Sequence, residues 1–392
     1  MPIINSLLDQ DLYKFTMAQA VFHQFSKQRP MTRFKFKCRN KNELAKYVND
    51  INAELDHLCT LNFKKNELDY LATLPFLSQD FIDFLEYFRL KREYIKCWVD
   101  ENNELQIEAT GPWIQVIFFE VFVLAIVQEV WTYNEHYDID FHYARQQLNE
   151  KISHAKKYAD LLRFNFADFG TRRRFSHEWQ REVVETMANE LPRNIFTGTS
   201  NVLFAMETGI KPIGTMAHEY LQAGQGLGPR LVHSQKFMLE KWVQEYRGDL
   251  GIALSDVVGF DAFLRDFDKY FAKLYDGCRH DSGDPIEWCE RLIAHYESLG
   301  IDPMTKTAVF SDGLNFTNAF DIANRFRGRI KTSFGIGTNL TNDVGITPLQ
   351  IVMKMVECNG SPVAKISDSK GKGMCEDDEY LKYLKKVFKI KE

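Results

Sequence analysis

The sequence predicts an α/β protein, in which an N-terminal α+β domain precedes a parallel α/β sheet or barrel. Helical and strand patterns are mixed in the first third of the chain. From about residue 160, short apolar runs alternate with helical stretches, which is typical of parallel strands joined by helices. Most of these runs end in Gly or a polar residue, as strands do where a turn leads into the next helix.

Size and composition are those of an ordinary globular protein. The chain has 392 residues, 45% of them hydrophobic and 26% charged, and its 31 Phe residues allow a large aromatic core. At roughly 150 residues per domain, this length predicts two or three domains, or one large barrel with an added domain. The net charge of -5 argues against a nucleic-acid partner, because non-specific binding to nucleic acids needs a basic surface.

Residues 1–135 are predicted to form the α+β domain. Phe34 and Phe36 alternate with Arg and Lys, which predicts a half-buried strand over residues 31–39. Two strand-like runs separated by five polar residues predict a hairpin, 94–99 with 105–109. Helical patterns cover residues 9–25, 42–59 and 64–90.

The most apolar stretch of the chain, residues 113–131, is predicted to be a buried core helix. It contains Glu120 and Glu129, and a bilayer would penalise each charge by about 2.5–3.5 kcal/mol. The first residues lack the basic segment of a signal peptide, so we expect a cytoplasmic protein without a membrane partner. The seven Cys residues are odd in number and form no C-x-x-C pair, which predicts free thiols.

Residues 136–359 are predicted to form the barrel domain, and the C-terminal segment 360–392 is expected to complete the N-terminal domain. The predicted strands are 164–169, 194–198, 212–216, 250–254, 306–310 and 330–336. The predicted helices are 176–190, 259–275, 286–299 and 315–327.

Seven turns that follow apolar runs carry polar or Gly residues suited to chemistry. They are 168–174, 197–201, 214–219, 255–256, 279–284, 311–313 and 334–339. In a βα barrel such turns converge at the carboxyl ends of the strands, where the active sites of these barrels lie. Seven of them in succession predict an enzyme.

The residue types in these turns indicate a phosphorylated sugar as ligand. Four Arg side chains are suited to phosphates and carboxylates, namely Arg172, Arg173, Arg174 and Arg279. The Gly335-Ile-Gly337-Thr338 turn can present backbone N–H groups to a phosphate, although tight turns alone also favour Gly. Four carboxylates can hold Mg²⁺ or sugar hydroxyls, namely Asp256, Asp281, Asp284 and Asp312.

Seven segments resemble the motifs of bacterial nicotinate phosphoribosyltransferases, and they occur in the family order. From the turns these are DFGTRRRFS from Asp168, GTSN from Gly198, GTMAHE from Gly214, RHDSGDP from Arg279 and FGIGT from Phe334. The others are LLDQDLYKFTM from Leu7 and ECNGSPVAK from Glu357. The resemblance covers nearly the whole chain, and these segments are highly specific.

The resemblance implies the fold of type II phosphoribosyltransferases, an irregular α/β barrel with an α+β domain. It implies that nicotinate and phosphoribosyl pyrophosphate (PRPP) give nicotinate mononucleotide and pyrophosphate, the first step of NAD salvage from nicotinate. It also implies ATP hydrolysis coupled through a phosphohistidine, a requirement for Mg²⁺, and a homodimer with active sites near the interface.

Residue roles follow from the same resemblance. His218 is expected to be the phosphorylated histidine, with Glu219 as a candidate to orient its ring. Arg279 and Asp281 are expected to bind PRPP, with Asp281 on ribose hydroxyls or Mg²⁺. Further candidates for ribose or phosphate are Asp256, Asp312, Gly337 and Thr338. Lys365 is either a phosphate ligand or a solvated side chain.

Tyr13 and Phe169 are expected to sandwich the pyridine ring, with Tyr13 coming from the partner subunit, although both are also candidates for ordinary core residues. Arg172 is expected to pair with the nicotinate carboxylate or a nearby phosphate. Arg173 and Arg174 are either phosphate ligands or a solvated helix start. Thr199 and Ser200 place hydroxyls and no acid in their turn, which favours the carboxylate of nicotinate over the amide of nicotinamide.

Other functions fit parts of the sequence. A related enzyme for nicotinamide or quinolinate would share the barrel, but quinolinate needs more basic groups. A flavin- or sugar-phosphate-binding barrel could use the same Gly turns. A nucleic-acid-binding protein could use Arg172, Arg173 and Arg174, but the sequence has no basic stripe.

Overall fold

Two β-sheets organise the described part of the chain. The computed structural model describes residues 2–40, 42–369 and 373–390, except for the side chains of residues 159–162. An antiparallel five-stranded sheet has the order β13-β12-β1-β3-β2, and a parallel seven-stranded sheet, curled into a half-barrel, has the order β6-β5-β4-β11-β10-β9-β8. The predicted class, an α/β barrel-like sheet with an α+β part, is thereby confirmed.

The N-terminal part contains six α-helices and three strands among its described residues. They are α1 (Leu12–Phe25), β1 (Met31–Cys38), α2 (Val48–Leu58), α3 (Lys65–Leu71), α4 (Gln79–Tyr87), β2 (Ile95–Val99), β3 (Leu105–Pro112), α5 (Trp113–Val116) and α6 (Phe119–Glu135).

The second part supplies the seven strands of the parallel sheet, each short and most of them followed by a helix, together with one short strand that belongs to neither sheet. Its first half comprises α7 (Phe141–Leu162), β4 (Phe166–Asp168), α8 (His177–Glu190), β5 (Phe196–Thr199), α9 (Val202–Thr208), β6 (Lys211–Pro212), α10 (His218–Leu227), α11 (Ser234–Tyr246), β7 (Arg247–Leu250) and β8 (Ile252–Leu254). Its second half comprises α12 (Phe260–Asp266), α13 (Lys269–Leu274), β9 (Gly277–His280), α14 (Pro285–Ser298), β10 (Thr307–Phe310), α15 (Phe316–Phe326), β11 (Lys331–Ile336) and α16 (Thr338–Thr341). After it come β12 (Ile351–Cys358), β13 (Ser361–Pro362) and α17 (Asp378–Val387).

Strand β12 crosses back from the end of the half-barrel to the antiparallel sheet. It pairs with β1, with Phe34 opposite Met355 and Phe36 opposite Met353. Ile351, Met353 and Met355 are buried at every second position, as expected of a strand that packs one face on a core. The predicted division at residue 359 assigned this strand to the barrel, so the C-terminal contribution to the antiparallel sheet begins earlier, at Ile351.

Helices α5 and α6 lie in the centre of the protein. Within the described ranges, the helical stretch Trp113–Glu135 is long and apolar enough to cross a membrane by length and composition, but 83% of its most apolar window is buried inside the protein. The buried amide of Gln128 is satisfied, since it donates to Thr132 at 3.1 Å and accepts from the backbone N–H of Leu349 at 3.2 Å. This burial agrees with the predicted core helix.

Several predicted elements differ from those observed. The helical pattern predicted for 64–90 is broken between α3, which ends at Leu71, and α4, which begins after Ser78. Pro75 lies between them, and a proline disfavours a continuous helix. The strand predicted for 212–216 is only Lys211–Pro212, because the chain turns at Gly214, where a Cβ would lie 2.9 Å from the backbone nitrogen of Tyr13. All seven Cys residues are free, as predicted.

Candidate active site

A cavity of about 320 Å³ lies at the carboxyl ends of the parallel strands. The turns after β4, β5, β9, β10 and β11 contribute to its wall, together with the start of α1. The predicted site residues that line it are Tyr13, Phe169, Arg172, Ser200, His218, Arg279, Asp281, Gly337 and Thr338. Convergence of distant turns at one rim is the arrangement that the sequence predicted.

His218 begins α10 and faces two carboxylates. Its Nε2 lies 2.8 Å from an oxygen of Asp256 and 3.3 Å from an oxygen of Asp281. Burial and the charge of Lys365 lower the pKa of His218, although the two carboxylates oppose this, so the imidazole is neutral at physiological pH. Since both facing atoms are acceptors, Nε2 carries the proton and Nδ1 carries the lone pair.

Asp256 is the centre of this cluster. Its second oxygen accepts from Ser282 at 2.6 Å and lies 2.8 Å from Nζ of Lys365. Burial raises the pKa of Asp256, but His218 and Lys365 together outweigh burial and hold it well below its usual range. Lys365 is itself buried, so the alternative of a solvated lysine is wrong. Asp256 therefore acts on the cavity through His218 instead of lining it.

The same cluster can hold a divalent cation. Ligand atoms of His218, Asp256 and Asp281 lie within 4.8 Å of one another. Mg²⁺ prefers oxygen ligands and in proteins is held by one or two carboxylates together with substrate phosphates. Of the three, Asp281 fits best, because it lines the cavity, whereas Asp256 already faces Lys365.

Glu219 does not orient the ring of His218, contrary to the expectation from its position. Its carboxylate receives Nζ of Lys14 at 2.5 Å and faces the indole nitrogen of Trp113 at 3.4 Å. Adjacent residues of a helix point in different directions, and the structure supplies Asp256 and Asp281 in its place.

Tyr13 and Phe169 line the cavity from the same chain. The expectation that Tyr13 comes from a partner subunit is therefore wrong for this geometry. The backbone explains it: the N–H of Leu12 donates to the carbonyl of Ser200 at 2.8 Å, which fixes the start of α1 on the turn after β5. The hydroxyl of Tyr13 is buried and has no hydrogen-bond partner among the described residues.

Two glycines of β11 and its following turn make room for Phe169. A Cβ on Gly335 would lie 2.3 Å from the Phe169 ring, and one on Gly337 would lie 2.9 Å from its carbonyl oxygen. The N–H of Phe169 donates to the carbonyl of Ile336 at 2.9 Å. The Gly pattern that suggested phosphate binding thus also positions an aromatic ring, a role that no single-sequence pattern could reveal.

Arg172 lies between the aromatic wall and the acids beneath it. Its Nη1 is 3.6 Å from Glu120, its Nε is 3.9 Å from Asp11, and its guanidinium carbon lies 6.0 Å from the centre of the Tyr13 ring. These contacts are long for ion pairs, and the side chain is 46% exposed. Arg172 is therefore available to an anion in the cavity.

The other two arginines of this turn differ from each other. Arg173 lines the cavity, where burial and its neighbour Arg172 lower its pKa to about 10. Arg174 is fully buried and donates to Asp9 at 2.6 and 2.8 Å and to Glu129 at 2.6 Å. Arg174 therefore forms structural ion pairs and is neither a phosphate ligand nor a solvated residue.

Besides Asp256, the predicted ligands that are not among the lining residues of the cavity include Thr199 and Asp312. The hydroxyl of Thr199 donates to buried Asp168 at 2.7 Å, and burial raises the pKa of this carboxyl to about 6. Its neighbour Ser200 does line the cavity. Asp312 is replaced in the wall by the flanking Ser311 and Gly313, and Ser311 donates to Asp281 at 2.9 Å.

Sequence reasoning missed Asp11. It lines the cavity and accepts from the hydroxyl of Ser200 at 2.7 Å, so the turn that carries no acid of its own receives one from the start of α1. Its position in the LLDQDLYKFTM segment was the one feature of the sequence that could have indicated a role in the site. The hydrogen bond between Asp11 and Ser200, 189 residues away, is visible only in the structure.

Family models match both parts of the chain. The nicotinate phosphoribosyltransferase (NAPRTase) family matches residues 164–392, and its N-terminal domain matches residues 8–128. The chain belongs to the nicotinate phosphoribosyltransferase family. This assignment confirms the resemblance seen in the seven sequence segments.

Individual members of the family are similar over their whole lengths. A nicotinate phosphoribosyltransferase of Acinetobacter baylyi is 54% identical, covering 100% of this chain and 98% of that protein. A crystal structure of nicotinate phosphoribosyltransferase from Vibrio cholerae superposes with a TM-score of 0.94 at 40% identity, covering 100% of this chain and 94% of the other. A structure from Porphyromonas gingivalis gives a TM-score of 0.93 at 35% identity, covering 99% and 100% of the two chains.

Proposed function

We propose that this chain joins nicotinate to PRPP, giving nicotinate mononucleotide and pyrophosphate, as the first step of NAD salvage from nicotinate. The observation that carries the proposal is the composition of one cavity. Two aromatic rings and Arg172 suit an aromatic carboxylate, while Arg279 and Asp281 suit a phosphorylated sugar.

Glycosyl transfer in this cavity requires positioning and charge stabilisation. The pyridine nitrogen attacks C1 of PRPP as pyrophosphate leaves, through a state with oxocarbenium character like that of glycoside hydrolysis. Tyr13 and Phe169 hold the ring. Arg279 donates to the carbonyl of Met216 at 3.0 Å, and its buried Nε has no partner among the described residues, so it can donate to the departing pyrophosphate. Mg²⁺ bound at Asp281 would neutralise further phosphate charge.

ATP coupling is proposed to proceed through His218. With Nε2–H donated to Asp256, the lone pair on Nδ1 attacks the γ-phosphorus of ATP, and ADP leaves. Asp256 stabilises the ring as it gains positive charge, and Lys365 balances the carboxylate. Glycosyl transfer from PRPP already has a good leaving group, so ATP acts by shifting the enzyme between states of different affinity.

Several features of the enzyme's setting are also proposed. The chain is expected to act in the cytoplasm as a homodimer, with nicotinate, PRPP and ATP as its small-molecule partners and neither nucleic acid nor membrane. The acidic net charge supports the first exclusion. The burial of the apolar helical stretch Trp113–Glu135 supports the second.

The central test is the formation of product. The purified chain is incubated with nicotinate, PRPP, Mg²⁺ and ATP, and nicotinate mononucleotide is detected by mass. We expect product that is absent from a heat-inactivated control. No product above this control contradicts the proposed reaction.

The ATP-coupling step is tested with His218→Asn. Asn cannot carry the phosphate, so the variant should lose ATP hydrolysis and the acid-labile phosphate while keeping some PRPP-dependent synthesis. His154→Asn, a change on the exposed side of α7, is the matched control and should behave as wild type. Wild-type ATP hydrolysis by His218→Asn would move the assignment to His177 or His280.

A further inference from the structure

Two buried aspartates at the start of the chain are in opposite electrostatic situations. Asp9 receives a bidentate pair from Arg174, at 2.6 and 2.8 Å. Burial raises the pKa of Asp9, but Arg174 and His177 outweigh burial and hold it well below its usual range. Asp11, two residues later, has Arg172 only at 3.9 Å, and burial raises its pKa.

Asp11 faces the cavity beside Ser200 and has little compensation for its charge. It is 2% exposed, and its hydrogen bonds come from the neutral hydroxyls of Ser200 and Thr171. A neutral donor stabilises a carboxylate much less than a guanidinium in direct contact does. A protonated carboxyl at this position can keep these hydroxyl contacts and still direct one O–H into the cavity.

The charged and titratable groups that face Asp11 come from α1, α6, β4 and the turn after β4. Arg172, in the turn after β4, favours the ionised form, whereas Glu120 on α6 disfavours it. Asp168 at the end of β4 and Tyr13 on α1 also interact with the charge of Asp11. A nicotinate carboxylate bound at Arg172 would add one more negative charge to this group. Two neighbouring carboxylates of this kind do not both stay ionised.

We propose that Asp11 selects the substituent of the pyridine ring by its protonation state, binding nicotinate when neutral and disfavouring it when ionised. This inference rests on the proposed function of the cavity. Neutral Asp11 donates its proton in a hydrogen bond to the nicotinate carboxylate, whose other oxygen pairs with Arg172. Ionised Asp11 repels nicotinate and instead accepts a hydrogen bond from the amide of nicotinamide.

The proton balance of binding follows. Nicotinate is an anion across the range pH 6 to 9, so binding at a pH where free Asp11 is ionised takes up about one proton per site from solvent. Nicotinamide binding takes up none. The preference for nicotinate over nicotinamide is therefore expected to fall as pH rises, by up to about tenfold per pH unit above the ionisation of Asp11.

The test compares the two substrates at each pH. The ratio of kcat/KM for nicotinate to kcat/KM for nicotinamide is measured from pH 6 to 9 for wild type, Asp11→Asn and the control Asp69→Asn. Any pH dependence that comes from PRPP or His218 affects the two substrates equally and therefore cancels in this ratio. Where nicotinamide is not converted, the ratio of its inhibition constant to the dissociation constant of nicotinate is measured instead, so that two binding constants are compared.

We expect the ratio to fall with pH in wild type and in Asp69→Asn, an exposed residue of α3. In Asp11→Asn the ratio should be constant, because the amide of Asn donates a hydrogen bond at every pH. Parallel profiles for wild type and Asp11→Asn would overturn the inference. Absence of nicotinate mononucleotide from wild type would instead overturn the proposed function.

A measurement on wild type alone covers the case in which Asp11→Asn fails to fold. Nicotinate is titrated into the enzyme by calorimetry at pH values from 6 to 9, in two buffers with different ionisation enthalpies, and the difference in heat gives the protons taken up. We expect uptake of about one proton at the alkaline end of the range. Zero uptake at every pH would overturn the inference.

Discussion

His218 shows how single residues set the chemistry of the rim. Its two neighbours of opposite charge act on it in opposite directions: Lys365 lowers the pKa of the imidazole, and Asp256 raises it. Burial adds to the effect of Lys365, so the neutral, nucleophilic form persists below the ordinary pKa of histidine. Lys365 lies 2.8 Å from Asp256 and so controls both partners of the pair.

Replacing Lys365 by Gln should therefore change the pH dependence of phosphoenzyme formation. Loss of this cation raises the pKa of His218, so a larger fraction is protonated at a given acidic pH. The acidic limb of the profile is expected to move to higher pH, as measured by acid-labile phosphate after brief incubation with ATP. Lys386→Gln, at an exposed position of α17, should leave the limb in place. An unmoved limb in Lys365→Gln would mean that Lys365 does not tune His218.

Gly335 illustrates a residue whose lack of a side chain shapes the cavity. In Gly335→Ala the new methyl group would lie 2.3 Å from the ring of Phe169, which must then move into the cavity. A displacement of about 1 Å at a positioned group can cost on the order of 100-fold in rate, so we expect kcat/KM for nicotinate to fall by about 10–100-fold, with a raised KM for nicotinate. The KM for PRPP should change much less.

The control for this change is Ser333→Ala, two positions earlier on β11. Its hydroxyl bonds to Asn165 at 2.7 Å and does not line the cavity. Steady-state kinetics of both variants test whether Phe169 contacts the pyridine ring. An unchanged KM for nicotinate in Gly335→Ala would place the ring away from Phe169.

At the scale of elements, local sequence patterns predicted the helices and strands that have a clear pattern of apolar residues. The alternation around Phe34 and Phe36 identified β1, and the long, mostly apolar stretch identified the core helix. Strand β9 was missed as an apolar run because its residues Cys278-Arg-His280 are mostly polar and its burial comes from strands on both sides. Strand β12 has a clear period of two, but the sheet it joins is set by the tertiary fold.

Some features of the candidate site could be predicted from the sequence, and others could not. Arg279 lies near the carboxyl end of β9, Asp281 follows that strand directly, and His218 begins the helix after β6, so the fold class alone brings them to the same rim. Contacts between distant segments were not predictable, because nothing local links Asp11 to Ser200 or Arg174 to Asp9. Those pairings depend on where α1 begins against the half-barrel.

Arg174 ties three segments together, and its loss should destabilise the protein. Arg174→Met leaves Asp9 and Glu129 buried without their cation, which is expected to cost about 3–5 kcal/mol in the free energy of unfolding. Urea unfolding followed by circular dichroism measures the loss. Arg181→Met removes a pair with Glu207 in which Arg181 is 41% exposed, and should cost about 0–1 kcal/mol. Equal midpoints for the two variants would contradict the structural role of Arg174.

At the scale of the whole molecule, distant parts of the same chain line the cavity. The start of α1 comes from the N-terminal part, whereas His218 and the strand-end turns come from the half-barrel. Tyr13 and His218 therefore belong to the same cavity within one subunit. In a dimer of such subunits, each of the two cavities contains Tyr13 and His218 from one and the same subunit.

Complementation between subunits tests this arrangement. In a mixture of Tyr13→Ala and His218→Ala subunits, each subunit keeps one defect, so an isolated heterodimer should show no more activity than the two variants separately. The measurement is the ATP-stimulated part of nicotinate mononucleotide formation by the heterodimer, because the His218 variant is expected to keep some synthesis without ATP. Wild type mixed with His218→Ala is the control at half of this ATP-stimulated activity. Recovery to about half of wild type would show that Tyr13 acts across the interface.

The return of β12 to the antiparallel sheet also has a consequence for biosynthesis. About 310 residues separate the end of β1 from the start of β12. Since the ribosome adds about 5–20 residues per second, β12 is synthesised roughly 15–60 s after β1. During that time one edge of β1 presents unpaired backbone groups, which can pair with another nascent chain. The N-terminal sheet can close only after translation has passed residue 358, and chains truncated before residue 351 are expected to aggregate.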